Sequence, residues 1–553
     1  MLLLWFSKLG LLLLCSTLVA ARTRDGRMNG NVRPIPGVPR IEVLEGPVTS
    51  RNGTTIPPYN TTYYFQQLID HNNPSAGTFT QRYWHTWEFY EKGGPIILMT
   101  PWVFIDHLAA DGYYGYLTNR TINGLIAQQS NGATIVLEHR FYGLSNPRPD
   151  LSVKSLQLHT IAQAIQDLKY FAENVDLPMP GGNAVKPDTT PWILAGGSYA
   201  GALTSFTKAT IDTFFIGYAS SAVVQNIVDF WGYFEPIRQN MPKNCSADVQ
   251  AAITHIDKVL TAGSNSSIQS LKATFGLEAV KHNDDAAGAL RNNLWDWQAL
   301  QPDSGPGTQF TEFCDALEVK NGKNAPASGW GTSHAISAWG SYFKNTYLPL
   351  VCGDDDRDDC LGTYNTSQSY WTDTSINNSG RSWQWIVCNE VGFFQDSAPV
   401  GTPSLVSRLI QPAYDSRQCQ QMFPKAFRKP PVPNVAKTNA LYKGWNVTEP
   451  RLFFATGSRD PWREATKSAD NTDFKSTTAQ PIAESDGFHC SDLLTSEGQA
   501  DATIAAVQQK ALASIKVWLT EWPSHKKGKR DAVSPKAASS KPINAWMKSF
   551  GSA

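Results

Sequence analysis

Six short, uninterrupted apolar runs constrain the fold of this 553-residue chain more than any other feature. They are GGPIILMT (93–100), ATIVLEHRF (133–141), TPWILAGGS (190–198), IGYASSAV (216–223), RLFFATG (451–457) and PIAESDGFH (481–489). A strand with one face in water alternates apolar and polar residues. A strand apolar on both faces must be covered on both, as in a parallel sheet flanked by helices. Between these runs, residues 155–175 have helical period, with Leu156, Ile161, Ile165, Leu168 and Phe171 on one side. Ahead of them, TYYFQQLIDHNNP (62–74) and TFTQRYWHTWEFY (78–90) alternate, which predicts an antiparallel strand pair. The whole predicts an α/β fold.

The pattern stops near 225 and resumes near 450. The interval holds helical stretches such as SADVQAAITHIDKVL (246–260) and SIQSLKATFGL (267–277), Trp-rich loops and most of the cysteines. It predicts a mostly helical insertion (225–449) splitting a core into 51–224 and 450–524. One final helix is expected over 498–522.

The ends differ from the body. Residues 1–21 carry one Lys, an apolar run and small residues before Arg22, the pattern of a signal peptide. The run after Lys8 is short for a membrane anchor. Residues 22–50, rich in Gly, Pro and Arg, read as a propeptide or extended arm. Residues 525–553 read as a disordered basic tail. The 48 basic and 48 acidic residues cancel. The tail holds +6 and the leader +1, so the body between them carries −7. A nucleic-acid binder is usually basic, and charged residues are only 17% of this chain, so neither that role nor a disordered chain fits.

Secretion is therefore expected. It makes eight sequons glycan acceptors, at Asn52, Asn60, Asn119, Asn244, Asn265, Asn365, Asn377 and Asn446. It also favours disulfides. Seven cysteines follow the leader, so one is left over; Cys352 and Cys360 read as a local pair. The spacing suggests no metal site.

The chemistry concentrates in Gly196-Gly197-Ser198-Tyr199-Ala200-Gly201, after an apolar run and before a helical segment. A nucleophile elbow needs a strand, a turn with small residues two before and two after the Ser, and a helix. The Tyr199 N–H then faces a developing oxyanion. A Ser hydroxyl needs a His base and an acid to orient it. The order Ser, acid, His directs attention to the late runs. The first ends in Ser458-Arg459-Asp460 and the second in His489. Asp470 and Asp486 are weaker rivals for the acid.

Read together, EHRFYG (138–143), GGSYAG (196–201), WQWIVCNEVGFFQ (383–395), GSRDPW (457–462) and DGFHCSDL (486–493) resemble the proline-specific serine peptidases. These include lysosomal Pro-X carboxypeptidase, dipeptidyl peptidase II and secreted fungal prolyl endopeptidases. The resemblance implies an α/β-hydrolase core with a helical cap inserted before the acid. It implies Ser198 as nucleophile, Asp460 as acid and His489 as base, with Trp462 and the CNEVGF segment (including Glu390) beside a proline pocket. No cofactor is implied. The implied partners are proline-containing peptides, not nucleic acid or a membrane; a homodimer is one alternative for the assembly. Many members act in acid. The chain departs from the family at Cys490, where a second His often follows the base, and at Leu494, where Arg is usual. It also departs at Thr100–Asp106, where relatives carry a Gly-rich segment with a Glu, and at Ala200, where Gly is usual. Two other readings remain: a secreted carboxylesterase or lipase of the same fold, and a relative that binds without catalysis.

Overall fold

The computed structural model describes residues 29–31, 38–39, 41–42, 46–100 and 113–532, with side chains to 523. The leader, most of the 22–50 stretch, most of the 100–106 departure and residues 533–553 lie outside the described residues.

All six apolar runs become strands of one eight-stranded sheet, joined by the alternating pair. In chain order these are β1 (Thr62–Leu68), β2 (Thr78–Thr86), β3 (Ile96–Met99), β4 (Ala133–Leu137), β5 (Trp192–Gly197), β6 (Ile216–Ser220), β7 (Leu452–Gly457) and β8 (Ile482–Ser485). The spatial order is β1-β2-β4-β3-β5-β6-β7-β8. β1–β2 and β2–β4 are antiparallel, and every pairing from β4 to β8 is parallel.

The apolar runs lack alternation because both faces are covered. Ile96 and Leu98 pack on one face with α2 (Ile161–Asn174) and α3 (Tyr199–Thr210). Ile97 and Met99 point the other way, towards α1 (Ile122–Ser130) and the C-terminal helix α4 (Ala502–Ala532). Covering both faces removes these side chains from water, at roughly 25 cal/mol per Å² of apolar surface.

Sequence periodicity misses three details. The expected helical stretch is broken in two: a single turn at Val153–Leu156, then α2, which begins at Ile161. The Thr160 hydroxyl accepts a hydrogen bond from Gln163 N (3.2 Å), capping the helix there. The single helix expected over 498–522 is two, Thr495–Ala500 and α4. Asp501 separates them in extended conformation and accepts from the Thr503 and Ile504 amides. Helix α4 then runs past the expected 525 boundary to Ala532.

Between Ser220 and Leu452 no strand joins the main sheet. This cap is mostly helical, with Lys243–Ala262, Asn265–Thr274, Asn283–Trp295 and Gln309–Glu318 among its helices. A short parallel pair, Ile227–Asp229 with Gly392–Phe394, is an exception. Three disulfides staple the cap: Cys245–Cys314, Cys352–Cys360 and Cys388–Cys419. The described pieces of the 22–50 stretch are packed into the body. Gly30 N donates to Cys360 O (2.8 Å), Asn31 Nδ2 to Leu361 O (2.6 Å), and Val38 is buried. Among the described residues no helix is long and apolar enough to cross a membrane.

Candidate active site

Ser198 sits between β5 and α3 with φ 61° and ψ −126°, a backbone state an L-residue adopts only under constraint. The neighbours show why small residues are needed. A Cβ on Gly196 would lie 2.2 Å from Ala200 O, and one on Gly201 2.6 Å from Ser220 O. The Ser198 amide donates to Ser220 O on β6 (2.9 Å), which fixes the turn against the sheet. Tyr199 is the first residue of α3, so its N–H belongs to the first turn, whose donors have no acceptor inside the helix.

Asp460 and His489 follow β7 and β8, as their sequence positions predict. His489 Nδ1 and Asp460 Oδ1 are 2.8 Å apart, with both side chains buried. Asp460 Oδ1 also accepts from the Trp462 amide (2.9 Å). This arrangement leaves Nε2 as the atom that would exchange a proton with the nucleophile. Burial alone would lower the His489 pKa. The Asp460 carboxylate, with the Cys490 sulfur beside the ring, outweighs burial and pushes it up to about 10. Ser198 Oγ and His489 Nε2 are both buried, and neither has a hydrogen-bond partner among the described residues. The His–Asp link is therefore made and the Ser–His link open, as is common before substrate arrives.

The elbow and the base are neighbours: a Cβ on Gly197 would meet the Cys490 sulfur at 3.0 Å. Cys490 N donates to Ser221 Oγ (2.9 Å), just past the strand that accepts from Ser198. The odd cysteine is thus Cys490, buried beside the base. Asp492, two residues on, is buried and accepts from Tyr218 Oη (2.6 Å) and Ser220 Oγ (2.7 Å).

The rival acids are elsewhere. Asp470 pairs with Arg463 (2.6 Å) and is half exposed, and Asp486 accepts only a long bond from Ser458 Oγ (3.4 Å). Trp462 is 1% exposed, its ring 6.3 Å from the His489 ring and enclosed by Phe230, Tyr233 and Phe393 at 5.3–5.5 Å. Its indole donates to Gln298 Oε1 (2.7 Å). Glu390 lies in the π-helical turn Val387–Val391 and accepts from Ile161 N (3.1 Å). Burial raises its pKa to about 7, against opposing contributions from that amide and Lys437. It is near enough to Tyr199 to help raise the phenol, after burial. Glu390 therefore flanks the elbow and also caps α2.

The EHRFYG motif is scaffold. Glu138 pairs with Arg82 (2.6 Å), and Arg140 with Asp167. His139 is buried, its pKa lowered by burial to about 4, and its ring packs 6.0 Å from that of Tyr199. Of the sequon asparagines, Asn52, Asn60, Asn119, Asn265, Asn365 and Asn446 are exposed, while Asn244 and Asn377 are half-buried. One cluster of metal-type ligands, Cys245, Cys314 and Glu318, has both sulfurs in a disulfide and so offers no thiolates. Phe393 closes the CNEVGF segment singled out in the sequence; sequence reasoning missed Phe230 and Gln298, because only the folded cap brings them to the site.

Comparisons with known proteins show what the chain is similar to. The profile of the family described as serine carboxypeptidase S28 matches residues 66–511. The serine protease vicPb of Bipolaris victoriae is 36% identical over 479 residues, covering 83% of this chain and 89% of that one. A probable extracellular serine carboxypeptidase of Arthroderma benhamiae is 31% identical, covering 70% and 56% respectively. The mouse thymus-specific serine protease is 23% identical, covering 83% and 87%. Among solved structures, an acetylester hydrolase from Corynebacterium glutamicum aligns over 82% of this chain and 95% of its own, with 11% identity and a TM-score of 0.34.

Proposed function

From the premise that this chain belongs to the serine carboxypeptidase S28 family, and so to the serine peptidases, we propose that it is secreted and hydrolyses peptides next to proline by a Ser198–His489–Asp460 mechanism. Ser198 Oγ attacks the carbonyl of a prolyl residue while His489 Nε2 takes its proton. Asp460 orients the ring and stabilises the imidazolium. The Tyr199 N–H donates to the oxyanion. His489 then protonates the leaving amine, and water, activated by the same base, releases the prolyl acyl-enzyme.

The observation that carries this reading is the buried His489–Asp460 pair beside a serine at φ 61°. Proline preference is supported by the aromatic enclosure of Trp462, Phe230 and Phe393 next to His489. Rigid flat rings suit a pyrrolidine. Glu390 flanks the same region. Secretion is supported by the leader pattern, three disulfides and six exposed sequons; removal of N-glycans should lower the mass of the secreted protein.

The test is hydrolysis of one defined proline-containing peptide, with the product masses read. Cleavage next to proline that disappears in Ser198→Ala is expected. A protein that cleaves p-nitrophenyl esters but no prolyl p-nitroanilide would be an esterase, and the reading would fail. A protein inert towards both would be the non-catalytic relative.

A further inference from the structure

Asp460 and His489 stand on loops after two different strands, and one short cap segment touches both loops. This is residues 297–301, spanning the end of the 3₁₀ turn Asp296–Ala299. On the acid side, Trp297 Nε1 donates to Arg459 O (2.8 Å) and Gln298 Oε1 accepts from Trp462 Nε1 (2.7 Å). On the base side, Gln301 Nε2 donates to His489 O (3.3 Å) and Gln301 Oε1 accepts from Ser491 Oγ (2.6 Å). The same Ser491 hydroxyl accepts from Phe488 N (2.8 Å), and the Trp297 ring packs 5.2 Å from that of Phe488.

The base loop has little regular structure of its own. It passes from β8 to the 3₁₀ turn Ser491–Leu493, with Cys490 at φ 59°. A loop of this kind needs outside partners to hold a side chain within the tolerance that proton transfer demands. Gln301 supplies both a donor and an acceptor to it, on either side of Cys490.

We propose that the cap segment 297–301 is the positioning element of the acid–base pair, with Gln301 holding the base loop and Trp297 and Gln298 the acid loop. Catalytic competence then depends on how the cap is seated. A cap that swings away carries these bonds with it and releases His489 and Asp460 from a common support. Because Ser198 and His489 are buried, a substrate must displace covering chain to reach them. Gln301 touches neither substrate nor reacting atom in this account; it acts through His489.

This inference rests on the Ser198–His489–Asp460 reading, and the experiment separates the two. Gln301→Met removes both bonds while keeping a long unbranched side chain, and Gln301→Ala is the more severe second variant. Each is compared with the wild type and with Ser198→Ala as full-length protein. The expected result is a kcat on the order of ten-fold lower with KM within two-fold. The rate of labelling by a small fluorophosphonate should fall in parallel, since that reaction needs the triad but no peptide pocket. Labelling that survives Ser198→Ala would remove the triad reading itself. Labelling that requires Ser198 yet proceeds at the wild-type rate in Gln301→Met would overturn only the positioning role. So would a variant whose defect lies wholly in KM.

Discussion

The nucleophile and its base are built in opposite ways. Ser198 is held by its immediate neighbours in sequence: Gly196 and Gly201 leave room for the turn, β5 leads into it and α3 leads out. His489 owes its position to groups far along the chain. Its ring is held by Asp460, 29 residues away, and its carbonyl by Gln301, 188 residues away. The elbow is therefore fixed whenever the core is folded. The base and acid are fixed only when core and cap are assembled. Damage to the elbow should appear as loss of both stability and activity, and damage to the base support as loss of activity with the core intact.

The sharpest probe of the long-range half is Asp460→Asn. Among the described residues that carboxylate bonds only the His489 ring and the Trp462 amide, so circular dichroism should be unchanged while kcat falls about 10⁴-fold. Asp470→Asn and Asp486→Asn should each change kcat less than two-fold. The local half is probed by Gly196→Ala, whose added carbon meets backbone rather than a movable side chain. An activity loss on the order of 10²-fold is expected, together with destabilisation of about 1–3 kcal/mol by urea unfolding. Activity lost without any stability change would break the comparison.

Trp462→Leu should have a smaller effect. It keeps an apolar wall but removes the flat ring, so kcat/KM for a prolyl substrate should fall about ten-fold relative to the alanyl analogue. The pH profile is the finest probe. Attack requires neutral His489, whose pKa is raised by Asp460 despite burial. Activity should therefore fall as pH drops through that pKa, with the acid limb of kcat/KM above the ordinary histidine value of about 6.5. An acid limb below that value would show that Asp460 raises the base less than the buried pair suggests.

The same division explains what the sequence made legible. The first five sheet runs are readable because burial on both faces writes itself as continuous apolar residues; the sixth, Ile482–Ser485, is an edge strand with Glu484 exposed and carries the weakest signal. The elbow was readable because its constraint falls within six residues. Asp460 and His489 could be selected because each directly follows a strand. The Gln298 and Gln301 contacts were not readable: neither glutamine belongs to a motif, and their relation to the loops exists only after the cap folds back. The identity of the unpaired cysteine was hidden for the same reason, since Cys245–Cys314 and Cys388–Cys419 join cap segments whose packing has no local signature. The length of α4 was underestimated because a basic, Pro-containing stretch looks unstructured by composition.

The most direct measurement is peptide mapping of the secreted protein after fluorophosphonate treatment, paired with hydrolysis of a prolyl p-nitroanilide. The adduct is predicted on Ser198 alone, with hydrolysis lost in proportion to labelling and both absent in Ser198→Ala. An adduct on another residue, or prolyl hydrolysis that persists when Ser198 is fully modified, would contradict the account.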